Sequence, residues 1–465
     1  MSIAAAARPT TRVPLGSPSR LRSVPTGRAA LPPLLAPPRT VAHDLGVPTL
    51  HRTVVDQAHL DHGASTPALV SVRDAVDTAL RTYSSVHRGN GYASRITTGW
   101  FEEARTEVGE FVGAREDDVV LFTRSTTDSL NLLARCLPAG TTTFVFESEH
   151  HAALLPWPEA HCVRLPVPRS VEEVLGRLEA ALLAAAEGPR LVVVTGASNV
   201  TGELWPVERI VALAHRYDAR VALDAAQLAP HRAIDLADSG VDYVAFSGHK
   251  VYAPYGAGVL AGRRDWLDTA EPYLRGGGAS AQVDGDGVLW HEGSARHEAG
   301  SPNVLGAIAL AAACAALSAH REAVEEHEAD LATRLHTGLE QLPGVTAYRL
   351  FGTDVERVGT AVFTVDGLDS GLVSAALSAE YGIAVRDGKF CAHLLTSALL
   401  DDAPGAPATA VRASVGLATT REHVDRLLGA LARLAARGPA FDYELTAEGW
   451  VPVDDPRDLT LPRPW

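Results

Sequence analysis

Only two lysines, Lys250 and Lys389, occur in a chain of 465 residues whose other side-chain cations are arginines. Arginine replaces lysine in most solvated roles, but its guanidinium stays protonated and delocalised and cannot form a Schiff base. A lysine kept at Lys250, after the apolar run 242–246 and the polar turn Ser247, Gly248, His249, points to amine chemistry. Other residues able to do chemistry also follow apolar runs. Ser125, Thr126, Thr127 and Asp128 open a helical pattern after residues 118–122. Free N–H groups at a helix start, with hydroxyls beside them, suit a phosphate, although the same residue types are ordinary helix caps. His150 and His151 follow the run 141–147, where an imidazole can stack on a flat ring or move protons. Asn199 follows 190–196 and offers an amide donor, and Asp224 ends 219–224 with Gln227 three residues on. A carboxylate at the mouth of a buried strand caps a helix or meets a cation.

Continuous β-branched runs alternate here with amphipathic stretches, among them 68–83, 126–136, 171–187 and 207–217. That alternation predicts an α/β fold with a mostly parallel central sheet covered on both faces. In such sheets ligands bind beyond the carboxyl ends of the strands, which is where the residues above fall. After Gly300 the pattern changes to a long alanine-rich helical region (303–341), short strands at 359–365, 382–386 and 411–415, and a helix at 421–436. The expected organisation is a disordered Pro/Ala/Arg-rich tail (1–43) and an N-terminal segment (44–75). A cofactor-binding large domain (76–302), a smaller C-terminal α/β domain (303–440) and an acidic, proline-broken tail (441–465) follow. The first tail reads as disordered rather than as an organelle targeting peptide, since its prolines prevent a sustained helix.

A formal charge of −15 argues against a nucleic-acid or anionic-membrane binder, and no apolar run is long enough to span a bilayer. The four scattered cysteines show neither metal-ligand pairing nor a disulfide framework, so a reducing, cytoplasmic setting is expected.

An anion cradle, a ring-facing histidine, an amide donor, a strand-end aspartate and a lysine, in this order, together specify pyridoxal 5'-phosphate. An aspartate facing the protonated pyridine nitrogen would keep that ring an electron sink. The motifs VHRG (86–89), RSTTDSLN (124–131), EHHA with PW (149–157), SNVTG (198–202), LDAAQ (223–227), FSGHKVYAPYGAGVL (246–260), HEAGSPN (297–303), GIAVRDGKFCAH (382–393) and VRASVG (411–416) carry a resemblance over about residues 55–435. The chain resembles the fold-type I, class V aminotransferase family, and within it the group II cysteine desulfurases and selenocysteine-lyase-like proteins. That resemblance implies a Schiff base between the cofactor and Lys250, ring stacking by His150, and Asp224 at the ring nitrogen. Gln227 and Asn199 would lie near the ring hydroxyl. Thr126, Thr127, Ser247 and His249 would bind phosphate, with Ser301 reaching a neighbouring subunit's site. Arg412 would clamp a substrate carboxylate, as a planar guanidinium fork does well, with Arg386 and His87 as auxiliary substrate contacts. A homodimer is implied as well.

Cys391 lies just after Gly388 in what reads as a mobile loop, where desulfurases keep the sulfur-accepting cysteine. Lys389 is two residues away and could favour a thiolate; the plain alternative is a small buried hydrophobe beside Phe390. The expected activity is cleavage of the C–S bond of L-cysteine, or of a cysteine-derived substrate, to alanine and a Cys391 persulfide, with a sulfur-acceptor protein as partner. The alternative is a pathway-specific class V aminotransferase, epimerase or C–S lyase in which Cys391 is not catalytic. A third reading is a scaffold that keeps the fold without the cofactor. Two departures bear on substrate: the desulfurase loop typically carries histidines where this chain has Lys389 and Phe390, and Arg275 stands where an acidic residue precedes the GGG turn. The Arg386-to-Cys391 pattern also resembles molybdenum-cofactor sulfurases, without their appended C-terminal domain.

Overall fold

The apolar runs become the strands of a seven-stranded sheet in a computed structural model that describes residues 36–41, 44–400, 407–460, 463 and 465. Across the sheet the order is Asp118–Thr123, Gly258–Arg263, Tyr243–Ser247, Ala219–Asp224, Arg190–Thr195, Thr142–Phe146, Cys162–Leu165. Gly258–Arg263 runs antiparallel to both its neighbours, and the other pairings are parallel. Helices cover both faces, and buried Val, Leu and Phe side chains form an apolar layer on each side. All five expected strands are present. The two additional ones were hidden in sequence: Cys162–Leu165 is a short edge strand, and Gly258–Arg263 is punctuated by glycine.

Gly258 has a steric reason. A Cβ there would lie 2.6 Å from Ser125 Cα and 2.7 Å from its N and C atoms. Only a residue without a side chain lets this strand pass beneath the turn that starts the helix Thr126–Cys136.

The region expected as one long helix is two, Val304–Ala319 and Arg321–Gln341, bent by 79° about His320. A second, four-stranded antiparallel sheet, ordered Val345–Tyr348, Thr360–Val365, Ala410–Ser414, Arg386–Gly388, builds its own apolar core with the helices Ser370–Tyr381 and Arg421–Arg437. The N-terminal segment is stitched into this layer. Ala58–His59 pairs in parallel with Ile383–Ala384, the Ser414 N–H donates to the Leu60 carbonyl at 2.7 Å, and Ala58 and Leu60 join its core.

Most of the expected disordered tail lies outside the described residues. Its last part is docked: the Val41 N–H donates to the Ala68 carbonyl at 2.7 Å and the Val70 N–H to the Arg39 carbonyl at 2.9 Å. The stretch 441–465, which shows no sequence period, holds a hairpin, Tyr443–Thr446 with Gly449–Pro452. Trp450 Nε1 donates to Asp369 Oδ1 at 2.9 Å and the Tyr443 hydroxyl to Glu380 Oε1 at 3.2 Å, fixing the hairpin to the helix Ser370–Tyr381. Among the described residues no single helix is long and apolar enough to cross a membrane.

Replacing Gly258 by alanine forces backbone against backbone where no flexible side chain can yield. The Gly258→Ala variant is expected to lose about 3 kcal/mol of stability, read as a fall in the urea midpoint at unchanged slope.

Candidate active site

Lys250 closes the short helical turn Gly248–Lys250 that follows the central strand Tyr243–Ser247. Its side chain opens on a cleft of about 190 Å³ that gathers residues from the carboxyl ends of five strands and from the second sheet. The surrounding protein leaves the ammonium only partly exposed. Burial is the main influence on it and lowers its pKa to about 8, with Arg412 acting in the same direction and Asp224 opposing.

Asp224 is 4 % exposed at the end of its strand. Burial pushes its carboxyl up, while the Ala226 N–H, donating to Oδ1 at 2.9 Å, and the charge of Lys250 hold it down. A partly buried amine and a buried carboxylate thus face one cavity, each making the other's charge more tolerable. His150 caps the short helix His151–Leu154 by accepting the Ala152 N–H on Nδ1 at 3.0 Å. The acceptor role leaves any ring proton on Nε2. Burial, then Lys250, His151, Arg412 and Arg386, bring the His150 pKa down to about 3, so the ring is neutral.

At the opposite wall the Ser247 hydroxyl lies 2.7 Å from both the N–H and the hydroxyl of Thr126, tying strand end to helix start. Thr127 and His249 line the same region, and burial, then Lys250, lowers the pKa of His249. Gln227 lines the cavity while its Nε2 donates to the Gly63 carbonyl at 2.7 Å. Asn199 is otherwise engaged than the sequence suggests. Its Nδ2 donates to the Phe390 carbonyl at 2.8 Å, and its own carbonyl accepts from Arg412 Nη1 at 3.0 Å.

Arg412 is 3 % exposed. Its Nη2 donates to Asp61 Oδ1 at 2.7 Å, its guanidinium lies 5.6 Å from the Phe390 ring centroid, and its Nε has no partner. Arg386, directly opposite Arg412 in the strand pairing, also reaches the cavity. Cys391 is exposed and lines the cavity, which excludes the buried-hydrophobe reading. Its loop, expected to be mobile, is pinned. The His151 N–H donates to the Cys391 carbonyl at 2.8 Å, beside the bond from Asn199 to Phe390. Phe390 and Cys391 hold φ of 54° and 55°, a left-handed conformation that costs a non-glycine residue about 1 kcal/mol or more and that clusters at functional sites. Lys389 turns away, its Nζ donating to Ser397 Oγ at 3.1 Å, so the cations within electrostatic reach of Cys391 are Lys250 and Arg412.

The structure therefore brings Thr126, Thr127, His150, Asn199, Asp224, Gln227, Ser247, His249, Lys250, Arg386, Cys391 and Arg412 to one cavity. It places His87 and Ser301 elsewhere. His87 Nε2 is 3.1 Å from Glu102 in a separate hollow, and Ser301 is exposed between Gly300 and Pro302, which line that second hollow. Asp61, Gly63 and the ring of Phe390 were missed. Asp61 meets Arg412 across 351 positions of sequence, and no local pattern signals such a pair.

The donor set suits a ligand that carries an anionic group, a carbonyl and a cationic group: hydroxyls at a helix start, an amine of lowered basicity and a buried carboxylate all line the cavity. Two outcomes follow. The folded Lys250 amine titrates near 8 and the unfolded one near ~10.4, so over that interval the unfolded chain binds more protons and stability rises with pH. Below about pH 8 the penalty of the buried charge is present in full. Urea unfolding of the ligand-free protein should show up to about 3 kcal/mol of such recovery relative to Lys250→Met, in which it is absent. Asp61→Asn leaves Arg412 buried without its anion and is expected to cost about 3 kcal/mol in the same assay.

Comparison with known proteins agrees with this geometry. The family described as Aminotransferase class-V matches residues 58–427. The cysteine desulfurase of Pectobacterium atrosepticum is 36% identical over 390 residues, covering 81% of this chain and 93% of that protein. The structure of the cysteine desulfurase CsdA from Escherichia coli superposes with a TM-score of 0.70 at 30% identity, covering 81% of this chain and 94% of that one. The apo cysteine desulfurase from Thermococcus onnurineus NA1 gives 0.72 at 32% identity, covering 82% and 95%. The chain is an enzyme of the class V aminotransferase family, a pyridoxal-phosphate-dependent family, and within it is cysteine desulfurase-like.

Proposed function

We propose that this chain binds pyridoxal 5'-phosphate in the Lys250 cavity and transfers the sulfur of L-cysteine to Cys391, leaving alanine. The observation that carries the reading is that an exposed cysteine, a lysine of lowered basicity and a buried arginine line one cavity. Thr126, Thr127, Ser247 and His249 would hold the phosphate, His150 would stack on the ring, and Asp224 would face the ring nitrogen, with Gln227 beside the ring. When bound, the cofactor supplies an electron sink that acidifies the substrate's α-carbon.

The chain's own residues do the remainder. Arg412, oriented by Asp61 and the Asn199 carbonyl, would present its guanidinium to the substrate carboxylate, with Arg386 alongside. Lys250 would hold the cofactor through its amine and would move the substrate's α-proton, a role suited to an amine whose pKa is lowered to about 8. The Cys391 thiolate attacks the substrate sulfur: the new S–S bond forms as the substrate C–S bond breaks, and the carbon left behind takes a proton. The products are alanine and a protein persulfide, which balance against L-cysteine and the Cys391 thiol. Phe390 covers one face of Arg412 and makes this wall apolar where related loops carry histidine.

A homodimer is part of the proposal. His87 and Ser301, which do not reach this chain's own cavity, would serve the site of a second copy, and a sulfur-acceptor protein would unload Cys391. The presence of only free cysteines among the described residues accords with a cytoplasmic, reducing setting.

Purified protein given L-cysteine and pyridoxal phosphate should release alanine and form persulfide. Lys250→Ala and Cys391→Ser should each reduce alanine release by at least about a hundredfold. Full turnover by Cys391→Ser would favour the pathway-specific lyase, epimerase or aminotransferase instead.

A further inference from the structure

Glu149 has no place in the chemistry above, yet it is one of the most deeply buried charged residues described, at 1 % exposed. It immediately precedes His150 and sits where the strand Thr142–Phe146 has already ended. The neighbouring strand continues to Thr195, whose N–H has thereby lost its ladder partner and instead donates to Glu149 Oε1 at 3.0 Å. Thr195 is in turn the residue paired with Asp224 in the parallel ladder. The carboxyl of Glu149 therefore sits one strand from Asp224, close enough for the two to repel, and its Oε2 is sealed from solvent without a partner.

Two buried carboxylates this close are not both ionised when a single amine faces them. Asp224 has the Ala226 N–H and the charge of Lys250 to stabilise its anion. Glu149 has the Thr195 N–H alone, and burial drives its carboxyl far up. We propose that Glu149 is held as a neutral carboxylic acid, so that Asp224 is the one ionised carboxylate presented to a ligand in the cavity. Glu149 is thus a positioning residue that acts through Thr195 and Asp224. The inference deepens the cofactor reading, but its first test does not depend on that reading.

Infrared difference spectra of the ligand-free protein, wild type minus Glu149→Gln at neutral pH, should show loss of the C=O stretch of a protonated carboxyl. Loss of carboxylate bands instead would overturn the proposal. Glutamine copies the shape and the Thr195 acceptor of the neutral acid. Glu149→Gln should therefore bind pyridoxal phosphate within about twofold of wild type, whereas loss of a real buried charge would weaken binding by more than about tenfold and contradict the assignment. Should the variant not fold, wild type labelled with carboxyl-¹³C glutamate gives the same answer. One glutamate resonance should stay at the protonated position through neutral pH, and its absence would overturn the idea. A failure of pyridoxal phosphate to bind wild type would reject the cofactor reading and leave the infrared result standing.

Discussion

The charge interaction of Lys250 with the buried Asp224 is the one on which the rest of the site depends. Removal from bulk water makes an ammonium give up its proton more easily and a carboxylate gain one, and each of these charges moderates the other. Set at the ends of adjacent parallel strands, they share a cavity at a fixed spacing. Everything nearby serves that arrangement. The sheet supplies rigid strand ends, Gly258 lets the next strand pass beneath the hydroxyl-bearing turn, and His150 is oriented by its own backbone bond. A lysine solvated at the surface would hold its proton up to pH ~10.4, more than two units above the value of about 8 that this setting gives Lys250.

A second layer of constraint comes from far along the chain. The N-terminal segment is sewn to the second sheet, and that places Asp61 against Arg412. The second sheet also carries Arg386 into the loop of Cys391, whose backbone is held by His151 and Asn199 in a left-handed turn. Cys391 is thus exposed by side chain and held by backbone. A sulfur that must leave one molecule and reach another benefits from both properties.

Much of this was legible in sequence because it is local. A rare lysine after an apolar run, a hydroxyl cluster at a helix start and an aspartate ending a strand are neighbourhood patterns, and a parallel sheet brings strand ends together. What stayed hidden is long-range or directional. The Arg412–Asp61 pair, the ring of Phe390 over a guanidinium and the bond from Glu149 to Thr195 depend on the fold bringing distant residues together. Lys389 looked like the cation for Cys391, but its side chain reaches forward to Ser397, a choice that spacing does not encode. Asn199 was legible as an amide donor lining the cavity, but not its donation to the Phe390 carbonyl in the Cys391 loop.

The most direct test of the account is where the sulfur goes. Protein reduced, loaded with pyridoxal phosphate and mixed with one equivalent of L-cysteine should be quenched by alkylation and its peptides weighed. The account predicts one added sulfur atom on the peptide containing Cys391, absent in Lys250→Ala, with none on Cys136, Cys162 or Cys314. Alanine released without sulfur on Cys391, or sulfur on another cysteine, would contradict it.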